Sequence, residues 1–163
     1  MLLTNHAKQR IVKRLSKRRK LERVYSALLD FIKNAERIEV NEKIVIFTDK
    51  KKSLVCTRLD AEFLSFNEIM ERVRDINETY ECTFWGEGKF AKVTTPKKFL
   101  EQIPEGRYYF YINKEKRVLY IGDEPPLLAI TLRPAKRKER ILEEETNPQA
   151  STGTTYISPN GSS

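Results

Sequence analysis

The 163-residue sequence predicts an α+β fold: a basic N-terminal helix or helix pair packed on a mainly antiparallel β-sheet, with further short helices. Three observations predict it. Apolar residues recur at helical spacing as far as Ala35, the period changes to two from Arg37, and short charged or glycine-bearing turns then separate strand-like runs as far as Leu132. With 39% hydrophobic and 33% charged residues, the chain has the composition and length of one domain with a sizeable core, placed at residues 1–134. Residues 135–163 read as a charged extension, KRKERILEEE, and a Ser-, Thr-, Gly- and Pro-rich tail with too little to bury to fold, expected to be disordered.

Asn5 is a capping residue for a helix that starts at His6, and Ile11, Val12 and Leu15 then share one side. At about 100° per residue, His6, Arg10, Lys13, Arg14 and Lys17 fall on the opposite side within an arc of roughly 100°. A second helical pattern runs from about Lys17 to Ala35, where Val24, Tyr25, Leu28, Leu29, Phe31 and Ile32 give a broad apolar face. No Gly or Pro divides the two, so one rod and a bent pair both fit, with Ser16 the best break. Arg37 to Val40, Lys43 to Thr48 and Ser53 to Leu59 follow as strands, and Asp49-Lys50-Lys51-Lys52 turns a hairpin. Ser65 with Glu68 forms a capping box for a helix to about Asn77. Tyr80 to Trp85 and Lys89 to Thr94 make a hairpin around Gly86-Glu87-Gly88, and Thr95-Pro96 opens a short helix ending near Ile103. Arg107 to Asn113, Lys116 to Ile121 and Leu127 to Leu132 complete the strands. The runs KIVIFTDKKKSLVCTRL and YYFYINKEKRVLYIGD share one plan of strand, charged turn and strand, which hairpin composition explains as well as duplication does.

Charge is concentrated at one end. Thr4 to Arg23 holds nine Lys or Arg and one acid, Glu22, so this segment alone carries the +8 net charge of the chain and the remainder sums to zero. Such a face gains affinity for polyanions by releasing counterions from phosphates. Nucleic acid is therefore the predicted partner, with Arg10, Lys13, Arg14, Lys17 and Arg18 as phosphate contacts; the plain competitor is a solvated charged face. His6 is the sole histidine. An imidazole suits proton transfer near neutral pH, and Arg10 and Arg14 lie one and two turns along the same face. His6 is accordingly a catalytic candidate for phosphodiester cleavage, against a frayed terminal residue or a phosphate contact without chemistry.

The second constellation is Trp85-Gly86-Glu87-Gly88-Lys89. An acid between two glycines at a hairpin tip can be presented to a close-lying ligand, and Lys89 beside it can pair with phosphate or carboxylate. Glu87 is the second catalytic candidate and Lys89 a further binding one; an ordinary turn with a solvated Glu is the competitor. Asp123-Glu124 before Pro125-Pro126 reads as a loop that ends a strand. Among the consecutive aromatics Tyr108 to Tyr111, Tyr108 and Phe110 look inward, while Tyr109 and Tyr111 are candidates for stacking on bases, with packing slightly favoured. Cys56 and Cys82 read as buried free thiols without ligand spacing for zinc, a disulfide staying open for a hyperthermophile. No Gly-rich phosphate loop, paired-carboxylate spacing or Ser/His/Asp order is present, so no metal ligands are assigned. Metal-assisted hydrolysis would have to draw on scattered carboxylates such as Asp49, Glu87 and Asp123.

The pattern His-Ala-x-x-Arg-x-x-x-Arg at His6, Ala7, Arg10 and Arg14, followed by a second helix and a strand meander, resembles the barnase, EndoU, colicin and RelE-like group of small nucleases. The likeness covers residues 4 to 59, with a looser match of Arg107 to Pro134 to the closing strands. It implies a helix on an antiparallel sheet, a site on the sheet's open face, and cleavage that is usually metal-independent with His, Arg, Glu, Thr or Tyr in support. The Asp60 to Gln102 block and the four cations at residues 17 to 20 depart from that pattern. The compact, charged chain is also similar to small DNA nucleases of archaeal filamentous viruses, for which a glutamate matters; that likeness makes Glu87 the carrier.

The function predicted is thus a nuclease acting on DNA or RNA. RNA supplies its own 2′-hydroxyl nucleophile and needs no cofactor, whereas DNA needs water and a divalent ion such as Mg²⁺, held by Glu87 with another carboxylate. A non-catalytic nucleic-acid-binding protein is the runner-up, and a protein-interaction module, such as an antitoxin or viral packaging factor, comes third. No run approaches the roughly 20 apolar residues of a membrane span, and no apolar signal region opens the chain. The sequence therefore predicts no membrane partner and a cytoplasmic location, the host cytoplasm if viral. Nothing in it predicts an oligomeric state.

Overall fold

The α+β class holds, but the strands divide between two mixed five-stranded sheets where a single sheet is predicted. The computed structural model describes residues 1–146. Its first sheet has the order β1 (Leu2–Leu3), β10 (Leu127–Pro134), β4 (Lys52–Arg58), β3 (Ile44–Thr48), β2 (Glu36–Glu39). The second has the order β5 (Glu62–Ser65), β8 (Arg107–Asn113), β9 (Val118–Gly122), β6 (Tyr80–Trp85), β7 (Lys89–Thr94). Each contains one parallel pair, β1 with β10 and β6 with β9; the other pairings are antiparallel. The helices are α1 (Asn5–Ile11), α2 (Leu21–Lys33), α3 (Phe66–Val73), α4 (Pro96–Leu100) and α5 (Arg137–Thr146), with a π-helical turn over Val12–Ser16.

The apolar stripe of α2 explains how the sheets meet. Val24, Tyr25, Leu28 and Phe31 recur at helical spacing and are all buried. They share one core with Val45, Phe47, Leu54, Cys56 and Ala129 of the first sheet and with Trp85, Ala91 and Tyr120 of the second. Across the second sheet lies another core, where Cys82, Phe84, Phe110, Leu119 and Ile121 meet Ile69 and Val73 of α3 and Phe99 and Leu100 of α4. A sheet covered on both faces needs apolar residues at successive positions, which is why Val118, Leu119, Tyr120 and Ile121 form an unbroken apolar run.

Local signals fix several element ends. The Ser65 hydroxyl accepts from the Glu68 N–H at 3.2 Å and the Glu68 carboxylate accepts from the Ser65 N–H at 2.9 Å, so the capping box starts α3 as expected. Thr95 caps α4 with Pro96 in its first turn. Both cysteines are buried free thiols, and burial pushes each up to about 12. The charged extension differs from a solvated helix, because Glu139 is buried and accepts from Ser53, Arg133 and the Lys136 N–H, tying α5 to the first sheet. The predicted tail from residue 147 onward lies outside the described residues. Among the described residues no helix is long and apolar enough to cross a membrane.

Candidate nucleic-acid interface

Thr4, rather than Asn5, caps α1. Its Oγ1 accepts from the Ala7 N–H at 3.0 Å and donates to the Ile130 carbonyl at 3.2 Å, while its own N–H bonds Ala129 O at 3.1 Å. These bonds seat α1 on β10, with Ala7 and Ile11 buried beneath it. His6 is exposed, and its Nε2 lies 3.2 Å from Thr131 Oγ1 of β10. Lys8 is taken up structurally, since its Nζ donates to both carboxylate oxygens of Glu81 at 2.6 and 2.5 Å.

Beyond Ile11 the α-helical register ends. The π-turn closes with the Lys17 N–H bonded to Val12 O at 2.8 Å, and Lys17 adopts a left-handed conformation with φ 57°. Ser16, the predicted break, makes the turn: its Oγ accepts from the Arg18 N–H at 3.1 Å and donates to the Arg18 carbonyl at 2.9 Å. The helices are therefore a bent pair, with Lys17 to Lys20 as the exposed connection, and α2 starts at Leu21 instead of Lys17. This bend changes the predicted cationic stripe. Lys13, Lys17 and Arg18 are exposed, whereas Arg10 and Arg14 are half-buried and the Arg14 Nε is buried without a hydrogen-bond partner.

The distribution of acids sets the electrostatics. Lys8, Arg37, Arg58, Arg72, Arg74 and Arg133 each stand in an ion pair with a carboxylate. Arg10, Lys13, Arg14, Lys17, Arg18, Arg19, Lys20 and Arg23 make none among the described residues, and of these Lys13, Lys17, Arg18, Arg19, Lys20 and Arg23 are exposed to solvent.

The second constellation lies elsewhere. Lys8 meets Glu81 at the start of β6, and Trp85, which leads into the Glu87 turn, is about 13 Å further along that strand. No hydrogen bond or ion pair joins Glu87 to His6 among the described residues, and Glu87 is exposed at its turn. The turn itself is tight: a Cβ on Gly86 would stand 2.4 Å from the Phe84 ring, so close approach rather than a left-handed backbone calls for glycine there. Lys89 Nζ sits 4.3 Å from the centroid of the Trp85 ring, which Tyr25 meets edge-on from α2.

Beneath this turn is a cleft of about 130 Å³ that the sequence did not reveal, walled by Phe47, Trp85 and Tyr120 with Arg37, Lys89 and Glu124 at its charged positions. Glu124 belongs to the loop read as a strand end. Its placement depends on the parallel pairing of β6 with β9, which sets Gly122 opposite Trp85, and on the Tyr120 hydroxyl donating to Glu124 O at 2.7 Å. Thr131 was missed for the same reason, being brought to His6 from 125 positions away. Asp49 accepts from two N–H groups of its own turn, and among the described residues no three His, Cys, Asp or Glu side chains converge as a metal site. Tyr109 and Tyr111 are half-buried against the inter-sheet core; Tyr109 also meets the exposed Phe63 ring at 5.0 Å. No family model matches the chain, and no curated protein sequence matches it.

Proposed function

We propose that this protein binds nucleic acid through the bent basic segment from Arg10 to Arg23. The observation that carries the reading is that Thr4 to Arg23 holds nine Lys or Arg against a single acid, Glu22, and that eight of those cations make no ion pair among the described residues. Phosphates supply the missing counter-charge. Interactions of this kind position a backbone and carry little base information, so affinity should depend on salt more than on sequence.

A second reading, RNA cleavage at His6, is favoured by one interaction. Thr131 holds the exposed imidazole in place at 3.2 Å, and Arg10 follows one turn along α1, so a base and a phosphate-binding cation share one surface. His6 would take the proton from the 2′-hydroxyl as its oxygen bonds the phosphorus, the P–O5′ bond breaks to leave a 2′,3′-cyclic phosphate with the departing 5′-oxygen protonated by water, and Arg10 would steady the charge growing on the phosphate. Glu87 has no place in this centre. A metal-assisted DNA reaction at Glu87, with Mg²⁺, would have to be built around the hairpin turn instead, using the protein's nearby carboxylates.

Incubating the purified protein with labelled RNA, single-stranded DNA and duplex DNA, each with EDTA or with Mg²⁺, tests both readings. Retention of the probes is expected, and failure to retain any of them at low salt would remove the binding proposal. Product from RNA in EDTA that disappears in His6→Ala supports cleavage at His6; equal product from that variant assigns the chemistry elsewhere.

A further inference from the structure

The cleft beneath the β6–β7 turn has the size, walls and charge for one particular kind of group. Its volume of about 130 Å³ is close to the roughly 150 Å³ of an apolar cavity that admits benzene, so it has room for one six-membered ring. Phe47, Trp85 and Tyr120 line it with aromatic side chains, and the Arg37 guanidinium lies 5.7 Å from the centroid of the Phe47 ring. Lys89 and Arg37 outnumber Glu124, and the Lys89 ammonium already lies against the indole, which disfavours a cationic occupant. Arg37 is engaged by Glu39 at 3.3 Å and by Glu124 at 3.5 Å, whereas Lys89 pairs with no carboxylate among the described residues and is the cation open to an anion.

Position supports the same occupant. Ile32, near the end of α2, lines the cleft, and Lys20 immediately precedes that helix. At 1.5 Å per residue the two are about 18 Å apart along the helix. A strand laid on Lys17 to Lys20 spans that distance in about five stacked nucleotides at roughly 3.4 Å each.

We propose that the cleft is a pyrimidine-nucleotide site, the base entering between the aromatic walls and its phosphate drawing Lys89 off the Trp85 ring. This rests on the nucleic-acid reading for its biological setting, but the pocket can be tested without the basic segment. Trp85 is the only tryptophan in the chain, so its fluorescence, excited at the red edge of its absorption, reports on this cleft alone. The intact protein is titrated with CMP, UMP, AMP, GMP and inorganic phosphate, alongside Lys89→Ala and a variant with Lys17, Arg18, Arg19 and Lys20 all changed to Ala. Saturable change with CMP or UMP is expected at least tenfold tighter than with AMP or GMP, weakened about tenfold in Lys89→Ala and unaltered in the four-site variant. No saturation by either pyrimidine nucleotide up to about 10 mM, equal response to purines, or indifference to Lys89→Ala would overturn the proposal. Oligonucleotide binding that depends on the four cations while CMP and UMP leave Trp85 unchanged would sink the cleft proposal alone. Loss of both would sink the nucleic-acid reading with it.

Discussion

Tyr25 carries a buried hydroxyl with no hydrogen-bond partner among the described residues, while its ring packs edge-on against Trp85. Burial raises its pKa far above the usual phenol value, so the neutral hydroxyl is what the core must accommodate. Burying such a group without a partner costs on the order of 1–3 kcal/mol. Tyr25→Phe keeps the ring and removes that cost, so stability should rise by about 1 kcal/mol, or roughly 2–4 °C in Tm by calorimetry. A fall in Tm would mean that the hydroxyl is bonded in solution. At this scale the sequence was legible wherever a residue acts locally. Ser16 and Ser65 act through bonds within three positions, and both were readable as turn or cap. Thr4 and Asn5 are equally good caps by type; the choice falls to Thr4 because Ile130, distant in sequence, also takes its hydroxyl.

Two elements convert local conformation into exposed charge and stability. The π-turn that follows α1 ends on Lys17 in the left-handed region, where a side chain costs about 1 kcal/mol and glycine is favoured. Lys17→Gly should therefore raise thermal stability slightly while weakening nucleic-acid binding, two readouts that move apart only if the charge itself is used. The other element is α5, held by Glu139. Burial alone would raise this carboxyl, but the Arg133 guanidinium, the Lys136 N–H and the Ser53 hydroxyl outweigh it and hold the pKa below the ordinary value. A depressed folded-state pKa contributes stability in full above the unfolded value of about 4.3, and that contribution is lost as pH falls through the folded value. Glu139→Gln should cost about 1.5–3 kcal/mol at neutral pH by thermal unfolding, and the gap to wild type should close in acid. A gap unchanged in acid would contradict the charged latch. The regular strands β6, β7 and β8 were legible to the residue because their alternation is long and bounded by turns. The two residues of β1 and the four of β5 are too short for any periodicity and exist through pairing with β10 and β8.

At the scale of the whole molecule, α2 runs between two candidate sites. Its N-terminal end follows the unpaired cations, and its C-terminal end meets the cleft under the Glu87 turn. The division into two sheets was not legible because it rests on β6 pairing in parallel with β9, a pairing of segments separated by β7, α4 and β8. The cationic segment was legible because charge imbalance needs no partner to be seen. Its role in binding nucleic acid is tested most directly by the salt dependence of that binding. The slope of log K against log salt is measured for the intact protein and for the variant with Lys17, Arg18, Arg19 and Lys20 changed to Ala, on the same labelled single-stranded and duplex probes. Weaker binding is expected in the variant, with a slope shallower by about one for each phosphate it no longer neutralises. Equal affinity and an unchanged slope in the variant would contradict that role.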